Sequence, residues 1–199
     1  MTDCVYVVDD DDAVRDSLAF VFESGGYRPL TFATAAEALE GIATAAEGCV
    51  VTDVRMPGMN GVELLRALRA RGDNRPVIVI TGHGDVPLAV EAMKAGAADF
   101  LEKPFADELL LSAVKRAMAA ATVSGPANDL DERLARLSQR EHQVLVRLVD
   151  GQLNKTISYE LGISMRTVEV YRAKLMAKMR AESFAELVRM AVQAGIASD

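Results

Sequence analysis

The 199-residue chain has no tryptophan, only two cysteines and 5% aromatic residues. Two cysteines cannot build a disulfide framework, so the fold must rest on an apolar core. Cys4 and Cys49 each open an apolar stretch and share no metal-like spacing with histidine, and they read as reduced, buried thiols of a cytoplasmic protein. No uninterrupted apolar run approaches the roughly 18 residues a membrane span needs, so no membrane partner is expected. Met1-Thr2-Asp3 leads straight into an apolar stretch without a basic leader, so no signal peptide is expected either.

An excess of positive charge is also missing. The formal net charge is −7, the wrong sign for a protein that coats nucleic acid. The total hides an asymmetry: residues 1–129 hold 11 Lys/Arg against 20 Asp/Glu, whereas residues 130–199 hold 11 against 9. Within the second part, Lys155, Arg166, Arg172, Lys174, Lys178 and Arg180 face only Glu160 and Glu169. A weakly basic module follows an acidic one, which favours two domains.

What is present is an alternating pattern. Short strand-forming runs lie at Cys4–Val8, Arg28–Phe32, Cys49–Thr52, Val77–Thr81 and Asp99–Glu102. Between them lie helical stretches, the first marked by Val14, Leu18, Val21 and Phe22, then Ala35–Ala45, Gly61–Arg71, Val86–Ala95 and Asp107–Ala121. Alternating strands and helices predict a doubly wound α/β domain with a five-stranded parallel sheet, because right-handed crossovers put helices on both faces. The pattern stops after Ala121. Thr122 to Asp129 is rich in Ser, Gly, Pro and Asn and reads as a linker. Beyond it an all-α module of four helices is predicted, with capping boxes at Ser138/Glu141 and Ser183/Glu186, a cap at Ser164, and stops at Gly151 and Gly162. The expected division is 1–121, a linker at 122–131, and 132–199.

Ligands of an open parallel sheet bind outside the carboxyl ends of its strands. This sequence places Asp9-Asp10-Asp11, Asp53, Thr81 and Lys103-Pro104 there. Singly, each is ordinary: acids suit a helix N-terminus, and a lone Asp or a Lys-Pro pair makes turns. Together they have a definite chemistry. Crowded carboxylates need a cation, and hard oxygen donors suit Mg²⁺. Asp53, alone at the end of the middle strand, is the natural nucleophile toward phosphorus, forming an acyl phosphate. Asp9 and Asp10 are then metal carboxylates, while Lys103 and Thr81 grip the phosphoryl group.

Val7-Val8-Asp9-Asp10-Asp11, Thr52-Asp53-Val54-Arg55-Met56-Pro57-Gly58-Met59-Asn60-Gly61, Ile80-Thr81-Gly82-His83-Gly84 and Lys103-Pro104-Phe105 resemble the receiver domain of two-component response regulators, a flavodoxin-like fold. The resemblance implies phosphotransfer from a sensor histidine kinase to Asp53. It also implies Mg²⁺ at Asp10, Asp53 and the backbone carbonyl of Arg55, with Asp9 assisting through water, and a cis peptide at Lys103-Pro104. Thr81 and Phe100 match the family's switch residues. Phe100 replaces a frequent tyrosine and also reads simply as a core aromatic, and His83 reads as a turn residue more readily than as a phosphate acceptor.

In the second module, Asn154 to Val168 reads as helix, tight turn, helix. Val168, Leu175 and Met179 share the core side, which leaves Arg166, Val170, Ala173 and Ala177 outward with Glu169 and Lys174 on the flanks. Small outward residues edged by charge let a helix enter the major groove, although a solvated amphipathic helix carries the same pattern. Lys155 and Thr167 lie near helix N-termini, where phosphate contacts are favoured. Leu137-Ser138-Gln139-Arg140-Glu141, Leu161-Gly162-Ile163-Ser164 and Arg166-Thr167-Val168-Glu169-Val170-Tyr171-Arg172 resemble the LuxR-type helix-turn-helix of the FixJ/NarL family. DNA contacts are expected from Lys155, Arg166, Thr167, Glu169, Val170, Arg172, Ala173, Lys174 and Lys178.

The resemblance thus implies a transcriptional regulator that dimerises on phosphorylation and binds double-stranded promoter DNA, with RNA polymerase as a further partner. Its FixJ branch implies control of nitrogen-fixation or respiratory genes by low oxygen. A receiver-gated protein-interaction module is the alternative. An enzyme is not expected beyond the receiver's own phosphotransfer, because His142 is the only histidine after the linker and has no nucleophile or metal-ligand partner.

Overall fold

A computed structural model of the chain describes residues 3–43, 47–82, 86–120 and 128–196. Five strands, β1 (Cys4–Val8), β2 (Arg28–Phe32), β3 (Gly48–Asp53), β4 (Val77–Thr81) and β5 (Asp99–Glu102), pair in parallel in the order β2-β1-β3-β4-β5. The helices α1 (Asp12–Ser24), α2 (Ala35–Ala43), α3 (Gly61–Ala70), α4 (Val86–Lys94) and α5 (Asp107–Ala120) alternate with them. Strand order reverses between β1 and β3, which opens a crevice at their carboxyl ends.

Alternation along the strands sorts the core. Val5, Val7, Cys49, Val51, Ile78 and Ile80 point to one face, where α1 contributes Leu18, Val21 and Phe22, and α5 contributes Leu110, Ala113 and Val114. Each large side chain sealed here contributes about 1.5–3 kcal/mol of burial. On α1, Asp11 caps the amides of Ala13 and Val14, so one member of the acidic run serves the helix N-terminus. A capping box at Asn60/Glu63 starts α3.

Two compact units emerge: one holds β1–β5 with α1, α2, α3 and α5, the other holds α4 with the C-terminal helices. The four expected C-terminal helices are α7 (Gln139–Val149), α8 (Asn154–Leu161), α9 (Met165–Met179) and α10 (Phe184–Gln193), preceded among the described residues by α6 (Asn128–Ala135). The added helix, α6, starts inside the expected linker and crosses its boundary at residue 131. Leu130 and Leu134 lie one turn apart on the C-terminal core, and Arg133 donates to the carbonyl of Met179 at 2.8 Å. Residues 121–127, most of the expected linker, lie outside the described residues.

Val144, Leu145, Leu148, Val149, Ile157, Val168, Leu175, Met179 and Leu187 form the core of the helical domain. The box at Ser138/Glu141 is reciprocal. That at Ser183/Glu186 is one-sided: Ser183 accepts the Glu186 amide, but the Glu186 carboxylate takes the amide of Glu182. Ser183 has φ −138°, against −68° at Ser138, so the incoming chain presents a different amide to the carboxylate. Among the described residues no helix is long and apolar enough to cross a membrane.

Candidate functional site

The strand register brings the acidic pocket together. Val8 stands level with Thr52, Asp53 with Ile80, and Thr81 with Glu102, so Asp9, Asp53, Thr81 and Lys103 all leave the sheet at one edge. Asp53 is the last residue of β3. Its Oδ1 lies 2.8 Å from Nζ of Lys103, and its Oδ2 accepts the Arg55 amide at 2.6 Å. The same ammonium lies 3.3 Å from Oδ2 of the buried Asp9, whose Oδ1 accepts the Asp11 amide at 3.0 Å. Lys103 therefore clasps two carboxylates from different strands. The Lys103-Pro104 peptide is cis.

Burial pushes the Asp9 carboxyl up, against the pull of the Asp11 amide and the Lys103 charge. Burial alone would lower Lys103, but the hydrogen bond and charge of Asp53, aided by Asp9, raise it, so the ammonium form is secured. Glycine at 61 shapes the pocket floor. A Cβ there would meet the carbonyl oxygen of Asp53 at 2.2 Å, while the Gly61 amide donates to Val54 at 3.0 Å. Only glycine allows the start of α3 to pass so close beneath Asp53.

The other expected residues sit around this clasp. Asp10 is exposed at the rim. Thr81 is buried, and its hydroxyl donates to the carbonyl of Gly82 at 3.3 Å. Phe100 is half-buried on β5, level with Val79. Arg55 enters through its amide, and His83 lies outside the described residues. Sequence reasoning missed Arg15: its guanidinium donates to the carbonyl of Asp9 at 2.6 Å and pairs with Asp12, which fixes the backbone under the clasp. The available signal was a basic residue one turn into the helix that Asp11 caps. Among the described residues no three His, Cys, Asp or Glu side chains are grouped to hold a metal ion. The donors are nevertheless all oxygen, and one or two carboxylates plus water and a phosphate suffice for Mg²⁺.

The helical domain presents the second surface. α8 ends at Gly162 in the left-handed conformation (φ 63°), and Ser164 accepts the Thr167 amide to start α9. Val168, Leu175 and Met179 are fully buried. Lys155, Arg166, Glu169, Val170, Ala173 and Lys174 are exposed, with Thr167 half-buried beside them. Arg172 and Lys178 are half-buried, and their polar ends are engaged within the domain instead. Arg172 donates to Asn154 at 3.1 Å and lies over the Phe184 ring, and Lys178 pairs with the buried Glu141 at 2.7 Å.

Two family models match, a response regulator receiver domain over residues 5–115 and the luxR family of bacterial regulatory proteins over 135–191. The transcriptional regulatory protein FixJ of Azorhizobium caulinodans is 57% identical over 97% of this chain and 93% of its own length. FixJ of Bradyrhizobium diazoefficiens is 50% identical (98% and 97%), and the C4-dicarboxylate transport regulator DctR of Rhodobacter capsulatus is 45% identical (96% and 100%). A crystal structure of full-length FixJ from B. japonicum has 50% identity and a TM-score of 0.58, covering 98% of this chain and 99% of that one. An acidic clasp at the carboxyl edge of a 2-1-3-4-5 sheet, followed by a helix-turn-helix, places this chain among the FixJ-like two-component response regulators, transcription regulators that pair a receiver with a LuxR-type DNA-binding domain.

Proposed function

We propose that Asp53 is the phosphoacceptor and that its phosphorylation controls promoter binding by the exposed face of α8 and α9. The observation that carries this is the clasp of Lys103 on Asp53 at 2.8 Å and on Asp9 at 3.3 Å. Asp53 Oδ attacks the phosphorus of a sensor kinase's phosphohistidine; the N–P bond breaks as the O–P bond forms, and the imidazole leaves carrying the bonding pair and takes up a proton. Lys103 then holds a phosphoryl oxygen in place of the free carboxylate. Asp9, Asp10, Asp53 and the carbonyl of Arg55 are the oxygen donors proposed for Mg²⁺, which when bound offsets the charge of carboxylate and phosphoryl oxygens. Beyond this self-phosphorylation and its reversal the chain is not an enzyme.

Thr81, whose hydroxyl is on Gly82 in this structure, is proposed to turn to the phosphoryl group, with Phe100 moving inward behind it. The receiver (1–121) then favours a homodimer, so two helix-turn-helix modules (132–199) meet two half-sites at raised effective concentration. The proposed DNA face is Lys155, Arg166, Thr167, Glu169, Val170, Ala173 and Lys174. The resemblance adds RNA polymerase as a contact on the promoter, low oxygen as the stimulus and the cytoplasm as the location. The test is acetyl-phosphate labelling with Mg²⁺: wild-type protein takes up one phosphoryl group and Asp53→Asn takes up none. Label retained on that variant refutes the site.

A further inference from the structure

α9 carries four basic side chains on its length, Arg166, Arg172, Lys174 and Lys178, and the structure divides them into two pairs. Arg166 and Lys174 are exposed. Arg172 lies one turn after the buried Val168 and Lys178 three residues after the buried Leu175, so both flank the core stripe. Their polar ends are used inside the domain. Arg172 Nη1 donates to Oδ1 of Asn154 at 3.1 Å, and its guanidinium carbon lies 4.7 Å from the centroid of the Phe184 ring. Asn154 opens α8 and Phe184 opens α10, so one planar cation touches the starts of two other helices. Lys178 Nζ lies 2.7 Å from Oε2 of Glu141 and donates to the carbonyl of Arg136 at 3.1 Å. That carboxylate is nearly sealed, and its Oε2 also accepts the Ser138 amide at 2.7 Å.

We infer that Arg172 and Lys178 are positioning residues that pin the recognition helix at its middle and at its end, and that they do not serve as phosphate contacts. This rests on the reading of α8 and α9 as the DNA-binding face. Arg172 sets α9 against the start of α8, where Lys155 lies, so phosphate-facing and groove-facing elements keep a fixed relation. Lys178 ties the far end of α9 to the start of α7. A site that stacks the cation on a ring while taking one hydrogen bond from it accepts arginine and rejects lysine, because the ammonium lacks the flat face that meets both partners at once. A phosphate contact accepts both. The Glu141 pair separates the two roles by sign. If Lys178 served DNA, Glu141→Gln would free it and remove a negative charge, and binding would tighten. If Lys178 positions α9, the same change loosens it.

The experiment is anisotropy titration of the full chain, with acetyl phosphate and Mg²⁺, on a duplex recovered by binding-site selection, repeated across a salt series. Losing one phosphate contact lowers the slope of log affinity against log salt by about 0.9. Lys155→Ala and Lys174→Ala are expected to lower it so. Arg172→Lys, Asn154→Ala and Glu141→Gln are expected to weaken binding roughly tenfold with the slope unchanged. Arg172→Lys with Asn154→Ala is expected to be no worse than either alone, as for two ends of one contact. Wild-type affinity in Arg172→Lys, additive losses with Asn154→Ala, or tighter binding by Glu141→Gln would each overturn the inference. Unchanged slopes in Lys155→Ala and Lys174→Ala would instead overturn the DNA-face reading beneath it. Arg172→Lys keeps the charge and most of the volume, so the answer does not depend on a truncated variant that fails to fold.

Discussion

Nζ of Lys103 lies 2.8 Å from Oδ1 of Asp53 and 3.3 Å from Oδ2 of Asp9, so one ammonium bridges two carboxylates that leave adjacent strands. Removing it leaves two acids facing each other. Lys103→Ala should lower stability by about 1 kcal/mol, a modest figure because the lysine is partly solvated. Mg²⁺ should recover part of that loss, because it supplies the missing positive charge. Thermal melts with and without Mg²⁺ check this. A variant melting with the wild type at every Mg²⁺ concentration would deny the clasp any weight.

Gly61 sits against the phosphoacceptor's own backbone. Gly61→Ala places a methyl 2.2 Å from the Asp53 carbonyl oxygen, and relief requires shifting either the end of β3 or the start of α3. Overpacking of this kind costs about 1–3 kcal/mol. The expected result is a lower denaturant midpoint together with slower acetyl-phosphate labelling. A midpoint lowered with labelling unchanged would mean that α3 yields and Asp53 does not.

The clasp was legible in the sequence because period-2 strands fix which residues leave a parallel sheet together. Asp9, Asp53, Thr81 and Lys103 each follow or end a strand-forming run, so the topology alone gathers them. The five strands were legible for the same reason, within a residue at each end. Helix partners were harder. Periodicity gives the direction of Arg172 and Lys178 from the helix axis, but not that Asn154, Phe184 and Glu141 arrive from α8, α10 and α7 to meet them. α6 was missed because its stability comes from Leu130, Leu134 and Arg133 packing on distant residues. The Asn60/Glu63 box is legible as Asn-x-x-Glu at the end of the receiver motif.

Glu141 makes the helical domain acid-sensitive. Hydrogen bonds from Lys178 and the Ser138 amide outweigh burial and hold its carboxyl at about 2, below its ordinary 4.5. Its folded value lies below its unfolded value, so its contribution is complete above the ordinary value and is lost as pH falls toward about 2. Stability of the wild-type domain should fall over that window, and Glu141→Gln should be less stable at neutral pH with a flatter acid limb. Equal pH profiles for the two proteins would contradict the pairing.

Cys49 is sealed in the sheet core, and burial pushes its thiol up to about 12. Cys4 is buried as well. Neither should react with a water-soluble disulfide reagent at neutral pH in the folded protein, and both should react in denaturant. Prompt labelling of Cys49 in the native state would contradict the packing of β1 against β3.

The central claim is that the state of Asp53 governs DNA binding by α8 and α9. Its most direct test is the affinity of the full chain for a selected duplex, with and without acetyl phosphate and Mg²⁺, in the wild type and in Asp53→Asn. The account predicts at least tenfold tighter binding by the phosphorylated wild type, about 1.4 kcal/mol, and no response in the variant. Equal affinity of the phosphorylated and unphosphorylated wild type, or an equal response from Asp53→Asn, would contradict it.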